Sequence, residues 1–216
     1  RVVAEGHLGE AYDKLKRFDD AFAAFGRANK LQFDQFAGVF FADADAHLSP
    51  EVVQRLRAFV EATDVASWRA PPPTEETPVF LVGFPRSGTT LLDQVLASHP
   101  QVSTLEERDT LIDMTRVVLN RSYELRELAS MPDAEVERLR ELYWAQVQTG
   151  LAGAARRSVF VDKLPLNAVL LPLIYRLFPS AKIVLALRDP RDCVLSCFQQ
   201  RFGMNMAMYQ LLRLDT

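Results

Sequence analysis

Residues 79–92 read VFLVGFPRSGTTLL, and this stretch constrains the chain more than any other. A short, nearly continuous apolar run ends in Gly83, a tight turn follows, and the pattern then becomes helical. Gly83 and Gly88 stand five apart, the spacing of a phosphate-cradling loop between a strand and a helix. Glycine permits close backbone approach, and the amides that open a helix point at an anion. Ser87, Thr89 and Thr90 add hydroxyl donors. The position after Gly88 holds Thr89, where nucleotide triphosphatases carry the lysine that meets their terminal phosphates. The cation sits inside the loop instead, at Arg86. Such a loop is expected to hold a phosphate but not a triphosphate with its magnesium.

The sequence after this loop alternates in type. Strand-like runs at 102–105, 159–161 and 182–187 alternate with helical patterns at 87–98, 108–120, 133–151, 167–178 and 191–200. Apolar strands alternating with helices predict an α/β fold, a parallel sheet with helices on both faces, and the run at 182–187 (KIVLAL) is expected to be a buried strand.

The sequence before the loop is helical throughout. Apolar residues at Leu8, Tyr12 and Leu15, and then at Phe18, Phe22 and Phe25, form stripes of helical period. Two further helices are predicted at 35–47 and 50–63, the second with Ser49 as N-cap and Pro50 at its first position. The spacing of Leu8, Gly9, Tyr12, Ala21, Phe25 and Ala28 resembles the tetratricopeptide repeat. One repeat cannot bury its own face, so earlier repeats are expected ahead of Arg1. Residues 67–78, SWRAPPPTEETP, read as a stiff extended linker. The expected organisation is a helical region at 1–66, a proline-rich joint at 67–78 and an α/β domain at 79–216 that ends early.

Composition removes several classes. With 25 basic and 28 acidic residues the chain has no basic surplus to bind nucleic acid. No apolar run approaches the roughly 18–20 residues of a membrane span. Cys193 and Cys197 are too few for a disulfide framework and read as small buried hydrophobes; a cytoplasmic location is the expectation. His7 and His47 stand apart from other metal-ligand types, and no metal site is expected.

Pro85 to Leu92, PRSGTTLL, resembles the 5′-phosphosulfate loop of the sulfotransferases, whose donor is 3′-phosphoadenosine 5′-phosphosulfate (PAPS). The run KIVLALRDPRDCVLS at 182–196 resembles the family's 3′-phosphate motif, a strand ending in arginine (Arg188) with a serine eight residues on (Ser196). The likeness is to tyrosylprotein sulfotransferases and to bacterial sulfotransferases that carry tetratricopeptide repeats. It implies a sulfotransferase fold, PAPS as co-substrate, 3′-phosphoadenosine 5′-phosphate (PAP) as product, and no metal. It also implies a hydroxyl or phenol acceptor, such as a peptide tyrosine, a sugar or a small metabolite, with a possible protein partner docked through the repeat.

Residue by residue, the resemblance assigns Arg86, Ser87, Gly88, Thr89 and Thr90 to the 5′-phosphosulfate, and Arg188 and Ser196 to the 3′-phosphate. Glu107, second of a Glu-Glu pair and 21 residues after Arg86, takes the position of the general base. Glu106 is its competitor. Arg108 and Asp109 follow, where the family continues with Thr and Arg. Lys163, in VFVDKLPLN, takes the position of the cation at the bridging oxygen or 5′-phosphate, a task shared with Arg86. The bland alternative for Lys163 is an ion pair with Asp162 or with another carboxylate nearby. His99 is a second candidate base, although its place at a helix end suits a structural role. Arg191 and Asp192 read as a local pair. Two other functions stay open from the residues: a phosphate-loop nucleotide kinase or NTPase, and a non-catalytic repeat scaffold with a degenerate transferase domain.

Overall fold

The computed structural model describes residues 1–40, 49–118 and 127–214. The chain opens with helices α1 (Val2–Lys14), α2 (Phe18–Phe40) and α3 (Pro50–Ala62). There follow β1 (Val79–Gly83), α4 (Thr89–Ala97), β2 (Val102–Glu106), α5 (Ile112–Val118), α6 (Glu127–Ser130) and α7 (Asp133–Gly150). The chain then forms β3 (Val159–Lys163), α8 (Leu171–Leu177), β4 (Lys182–Ala186), α9 (Pro190–Gln199) and α10 (Met206–Gln210). It divides into two compact units, one of Val53–Leu187 and one of Arg1–Val52 with Arg188–Thr216. No helix among the described residues is long and apolar enough to cross a membrane.

In the Val53–Leu187 unit all four strands are parallel, in the order β2-β3-β1-β4. Strand side chains alternate between faces, so the register sorts them. Phe80 and Val82 of β1, Leu105 of β2 and Phe160 of β3 share one core with Leu139 and Tyr143 of α7 and Leu173 and Leu177 of α8. Helix α4 packs against β1 and β2. It takes the opposite face, where Lys163 of β3 meets Thr90. Helices thus lie on both faces of the sheet.

The expectation of a buried strand at 182–187 is corrected. Ile183 and Leu185 are 41% and 53% exposed. The cause is position: among the described residues β4 ends the strand order and pairs only with β1. The helix expected at 108–120 starts only at Ile112, because residues 108–111 form turns in which Thr110 N–H bonds the Arg108 carbonyl and Ile112 N–H that of Asp109; positions 119 and 120 lie outside the described residues. The helix expected at 167–178 is split into a 3₁₀ turn, Pro165–Leu170, and α8. Pro172, early in α8, has no N–H to bond back into that turn.

The proline-rich stretch is extended but tethered. Trp68 is buried in the main core. Arg140 of α7 donates to the Pro72 carbonyl at 2.9 Å and to that of Leu177 at 2.7 Å. Arg176 donates to the carbonyls of Arg69 and Met131. Ion pairs Arg69–Asp133 (2.9 Å) and Arg156–Glu76 (2.7 Å) hold its two ends. Buried guanidiniums suit this work, since each offers several donors in a fixed fork.

In the other unit α1 and α2 form an antiparallel hairpin, seen in the pairs Glu5–Arg27, Gly9–Phe25 and Tyr12–Ala21. A Cβ on Gly9 would lie 2.6 Å from the Phe25 ring, so only glycine lets the helices meet there. The face of α2 is covered by the end of the chain. Phe198 of α9 stacks on Phe22 at 5.1 Å, and its carbonyl accepts from buried Asn29 at 2.9 Å. Tyr209 of α10 stacks on Phe33 at 4.6 Å. Cys193 and Cys197 are buried and unbridged. Helix α2 runs unbroken to Phe40, so the separate helix expected from residue 35 is its continuation; the rest of that helix, with His47, lies outside the described residues. Ser49 caps α3 as expected, its Oγ accepting the Val52 N–H at 3.2 Å.

Candidate active site

The site is built where β1, β2 and β3 end. The loop after β1 turns back at once, with Ser87 N–H bonding the Phe84 carbonyl at 3.1 Å. Arg86 and Gly88 hold positive φ, +69° and +97°. Gly83 is required by crowding: a Cβ there would lie 2.7 Å from Ser87 Oγ and 2.9 Å from the Ala186 carbonyl oxygen. Gly88 then caps α4, whose first amides have no partner within the helix. Ser87 Oγ is buried with no hydrogen-bond partner among the described residues. A buried hydroxyl left unpaired costs about 1–3 kcal/mol. Ser87 stands just ahead of the opening amides of α4 in the chain, and hydroxyl and amides alike are donors suited to an anion.

Lys163 ends β3 and its side chain is fully buried. Its Nζ donates to Glu106 Oε1 at 2.8 Å, to Glu107 Oε1 at 3.0 Å and to Thr90 Oγ1 at 3.3 Å. Parallel pairing explains this convergence, because Glu106 is the register partner of Lys163. Glu107 lies just beyond the strand with φ +49°, and its N–H bonds the Lys163 carbonyl at 2.7 Å. Both glutamates are about half exposed, at 48% and 57%, so a buried cation faces solvent through two carboxylates.

Lys163 therefore pairs with nearby carboxylates, as the bland alternative allows, but those carboxylates are Glu106 and Glu107 and not Asp162. Asp162 and Lys163 are consecutive on a strand and point to opposite faces. Asp162 bonds Thr110 and Tyr143 on the α7 side. The local pair expected between Arg191 and Asp192 is corrected too. Asp189 is the N-cap of α9, so its carboxylate meets Arg191, through N–H at 2.9 Å and the guanidinium at 2.8 Å. Asp192 instead takes Arg188, one turn earlier, at 3.4 Å.

Lys163, Glu106, Glu107 and Thr90 are thus brought together beside the loop that carries Arg86, Ser87, Gly88 and Thr89. Arg188 and Ser196 belong to the other compact unit, Arg188 ahead of α9 and Ser196 on it. His99 follows the far end of α4, about 13 Å along a nine-residue helix from the loop. Its Nδ1 accepts the Gln101 N–H at 3.2 Å, a local structural bond. One residue escaped sequence reasoning. Asp93, buried on α4, has its carboxyl raised from the ordinary value chiefly by burial, against a hydrogen bond from Thr104 and the charge of Lys163. Its signal was its place three residues after Thr90, on the same helix face.

Among the described residues no group of three or more His, Cys, Asp or Glu side chains is placed to hold a metal ion. The arrangement offers an anion cradle, one buried ammonium at its rim, and two carboxylates on that ammonium. Such a site can hold an anionic leaving group and take a proton beside it.

Residues 78–216 match the family model described as the Sulfotransferase family. An uncharacterized protein of Aquifex aeolicus (strain VF5) is 30% identical over 214 residues, covering 94% of this chain and 26% of that protein. Protein-tyrosine sulfotransferase 1 of Homo sapiens is 31% identical over 137 residues, 57% of this chain and 34% of that protein. Nodulation protein NoeE of Sinorhizobium fredii is 31% identical over 120 residues, 51% of this chain and 28% of that protein. The chain spans between 26% and 34% of the length of these relatives.

Proposed function

From the premise that this chain belongs to the sulfotransferase family, we propose that it transfers a sulfuryl group from PAPS to a hydroxyl or phenol. The observation that carries the reading is Lys163, buried at the rim of a phosphate loop and bonded to both Glu106 and Glu107. The loop lacks the lysine after Gly88 that a triphosphate site uses, and supplies a cation from β3 instead.

In this reading Ser87, Gly88, Thr89 and Thr90 hold the 5′-phosphate and sulfate oxygens through hydroxyls and the opening amides of α4. The unpartnered Ser87 Oγ supports that fit. Arg86 and Lys163 neutralise the charge that gathers on the bridging oxygen as its bond to sulfur breaks. Glu107 takes the acceptor's proton as the new sulfur–oxygen bond forms, and PAP leaves. Glu106, bonded to the same ammonium, keeps Lys163 at the rim. Arg188 and Ser196 take the 3′-phosphate by resemblance. The transferase domain is proposed to begin after the joint at 67–78, with the helical segment before it as a docking element for a protein acceptor.

The test is transfer of radiolabelled sulfate from PAPS to three acceptors: a tyrosine peptide, a sugar and a small phenol. Transfer to at least one is expected. Glu107→Gln is expected to lower kcat about 100-fold or more, in the range of general-base losses. Absence of transfer to all three, or a Glu107→Gln chain as active as the parent, overturns the reading.

A further inference from the structure

The α7 face of the sheet carries a second polar group that the proposed chemistry does not use. Asp162 is fully buried, and its Oδ2 accepts from Thr110 Oγ1 at 2.6 Å and from Tyr143 OH at 2.9 Å. Its Oδ1 is buried with no partner among the described residues. A buried carboxylate held by two neutral hydroxyls is an expensive way to fill a core, and apolar side chains of that volume often serve stability better. Its place in the fold suggests another use.

Thr110 belongs to the short loop that follows β2 and presents Glu107. That loop meets β3 at two points, on consecutive residues. Glu107 N–H bonds the Lys163 carbonyl at 2.7 Å, and Thr110 Oγ1 bonds the Asp162 carboxylate. Between them Arg108 and Asp109 are exposed. Glu107 has φ +49°, a conformation that costs a residue with a Cβ about 1–2 kcal/mol. Strain of this kind persists where the surroundings over-determine the backbone. Tyr143 supplies the fixed end: it is fully buried, with Phe178 at 5.1 Å and Phe80 at 5.9 Å between ring centroids.

We propose that Asp162 is a positioning residue: anchored by Tyr143, its carboxylate clamps Thr110 and so fixes the loop that holds Glu107 beside Lys163. The proposal rests on Glu107 as the base for its catalytic consequence, but the clamp itself is a property of the fold. One strand thereby carries both halves of the arrangement, the cation on one face and the clamp for the base on the other.

The test removes the Thr110 hydroxyl and keeps its shape, as Thr110→Val, with Thr110→Ser restoring the hydroxyl. Should the valine chain not fold by circular dichroism, Thr110→Ala makes the same deletion. Amide hydrogen exchange at Glu107 is read beside kcat and KM for PAPS. In Thr110→Val the Glu107 amide is expected to exchange about 10-fold faster or more, while amides of β1 and α7 keep their protection. Misplacing a reacting group by about 1 Å costs on the order of 100-fold, so kcat is expected to fall about 10- to 100-fold with KM little changed. Thr110→Ser is expected to recover both readouts. Unchanged exchange at Glu107 overturns the clamp. Faster exchange with unchanged kcat overturns its positioning role. A parent chain that transfers no sulfate, yet shows faster Glu107 exchange in Thr110→Val, supports the clamp and overturns the functional reading instead.

Discussion

Replacing Asp162 by asparagine changes how stability depends on pH, and the structure sets both sign and size. Burial pushes the Asp162 carboxyl up from 3.8 to about 6, with nearby Asp109 adding in the same direction and the Thr110 and Tyr143 hydrogen bonds opposing. In the unfolded chain the group returns to its ordinary value. Between these values the folded state holds a proton that the unfolded state has released. Stability therefore falls as pH rises through this window and levels off above the folded value, the reverse of a salt-bridged carboxylate. The span is worth about 3 kcal/mol at about 1.4 kcal/mol per pH unit. Asparagine keeps an acceptor oxygen for Thr110 and Tyr143 but does not titrate. It also buries an amide donor where Oδ1 now lies, a cost that does not vary with pH. The quantity to read is thus the pH dependence of the difference between the two chains. Urea unfolding of both, at steps from about pH 4 to about pH 8, gives it directly. The parent is expected to lose about 3 kcal/mol relative to Asp162→Asn across the window. A difference that stays flat with pH, or one in which the parent gains, refutes the reasoning, because Asp162 would then be stable as an ion.

Other expectations follow from contacts already described. Gly83→Ala drives a Cβ against the Ala186 carbonyl oxygen at 2.9 Å, so the loop or β4 must shift; a loss of about 1–3 kcal/mol is expected by thermal melting, with weaker PAP binding by calorimetry. Gly9→Ala, with its Cβ 2.6 Å from the Phe25 ring, is expected to destabilise the helical hairpin by a similar 1–3 kcal/mol or so, measured by urea unfolding, without changing PAP binding. Lys163→Met removes the buried ammonium between Glu106 and Glu107 and is expected to lower kcat on the order of 100-fold or more in the sulfate-transfer assay.

Much of the loop after β1 was legible because its geometry is local. Gly83, Ser87, Gly88 and Thr89 lie on one continuous strand, turn and helix, and the glycine spacing states the geometry. Lys163 was legible as a strand end. Its partners were not: Glu106 reaches it only because β2 pairs with β3, and nothing within either segment announces that pairing. That Asp162 is not among those partners was hidden for a related reason. Adjacency in sequence suggested an ion pair with Lys163, while strand alternation sends the two side chains to opposite faces. Thr110 and Tyr143 reach Asp162 across 52 and 19 residues, and no spacing rule links them. The apolar run of β4 reads the same whether it is central or at an edge, so its exposure depended on the strand order. The covering of α2 by Phe198 and Tyr209 was hidden likewise, since it joins opposite ends of the chain.

What the loop after β1 binds is the most direct test of the proposed sulfuryl transfer. Calorimetric titration with PAP in the absence of magnesium, beside ATP with magnesium, tests it. A PAPS-dependent transferase is expected to bind PAP at roughly micromolar concentration without metal, more weakly in Arg188→Ala, with no comparable binding of ATP with magnesium. Binding of ATP with magnesium and none of PAP would contradict it.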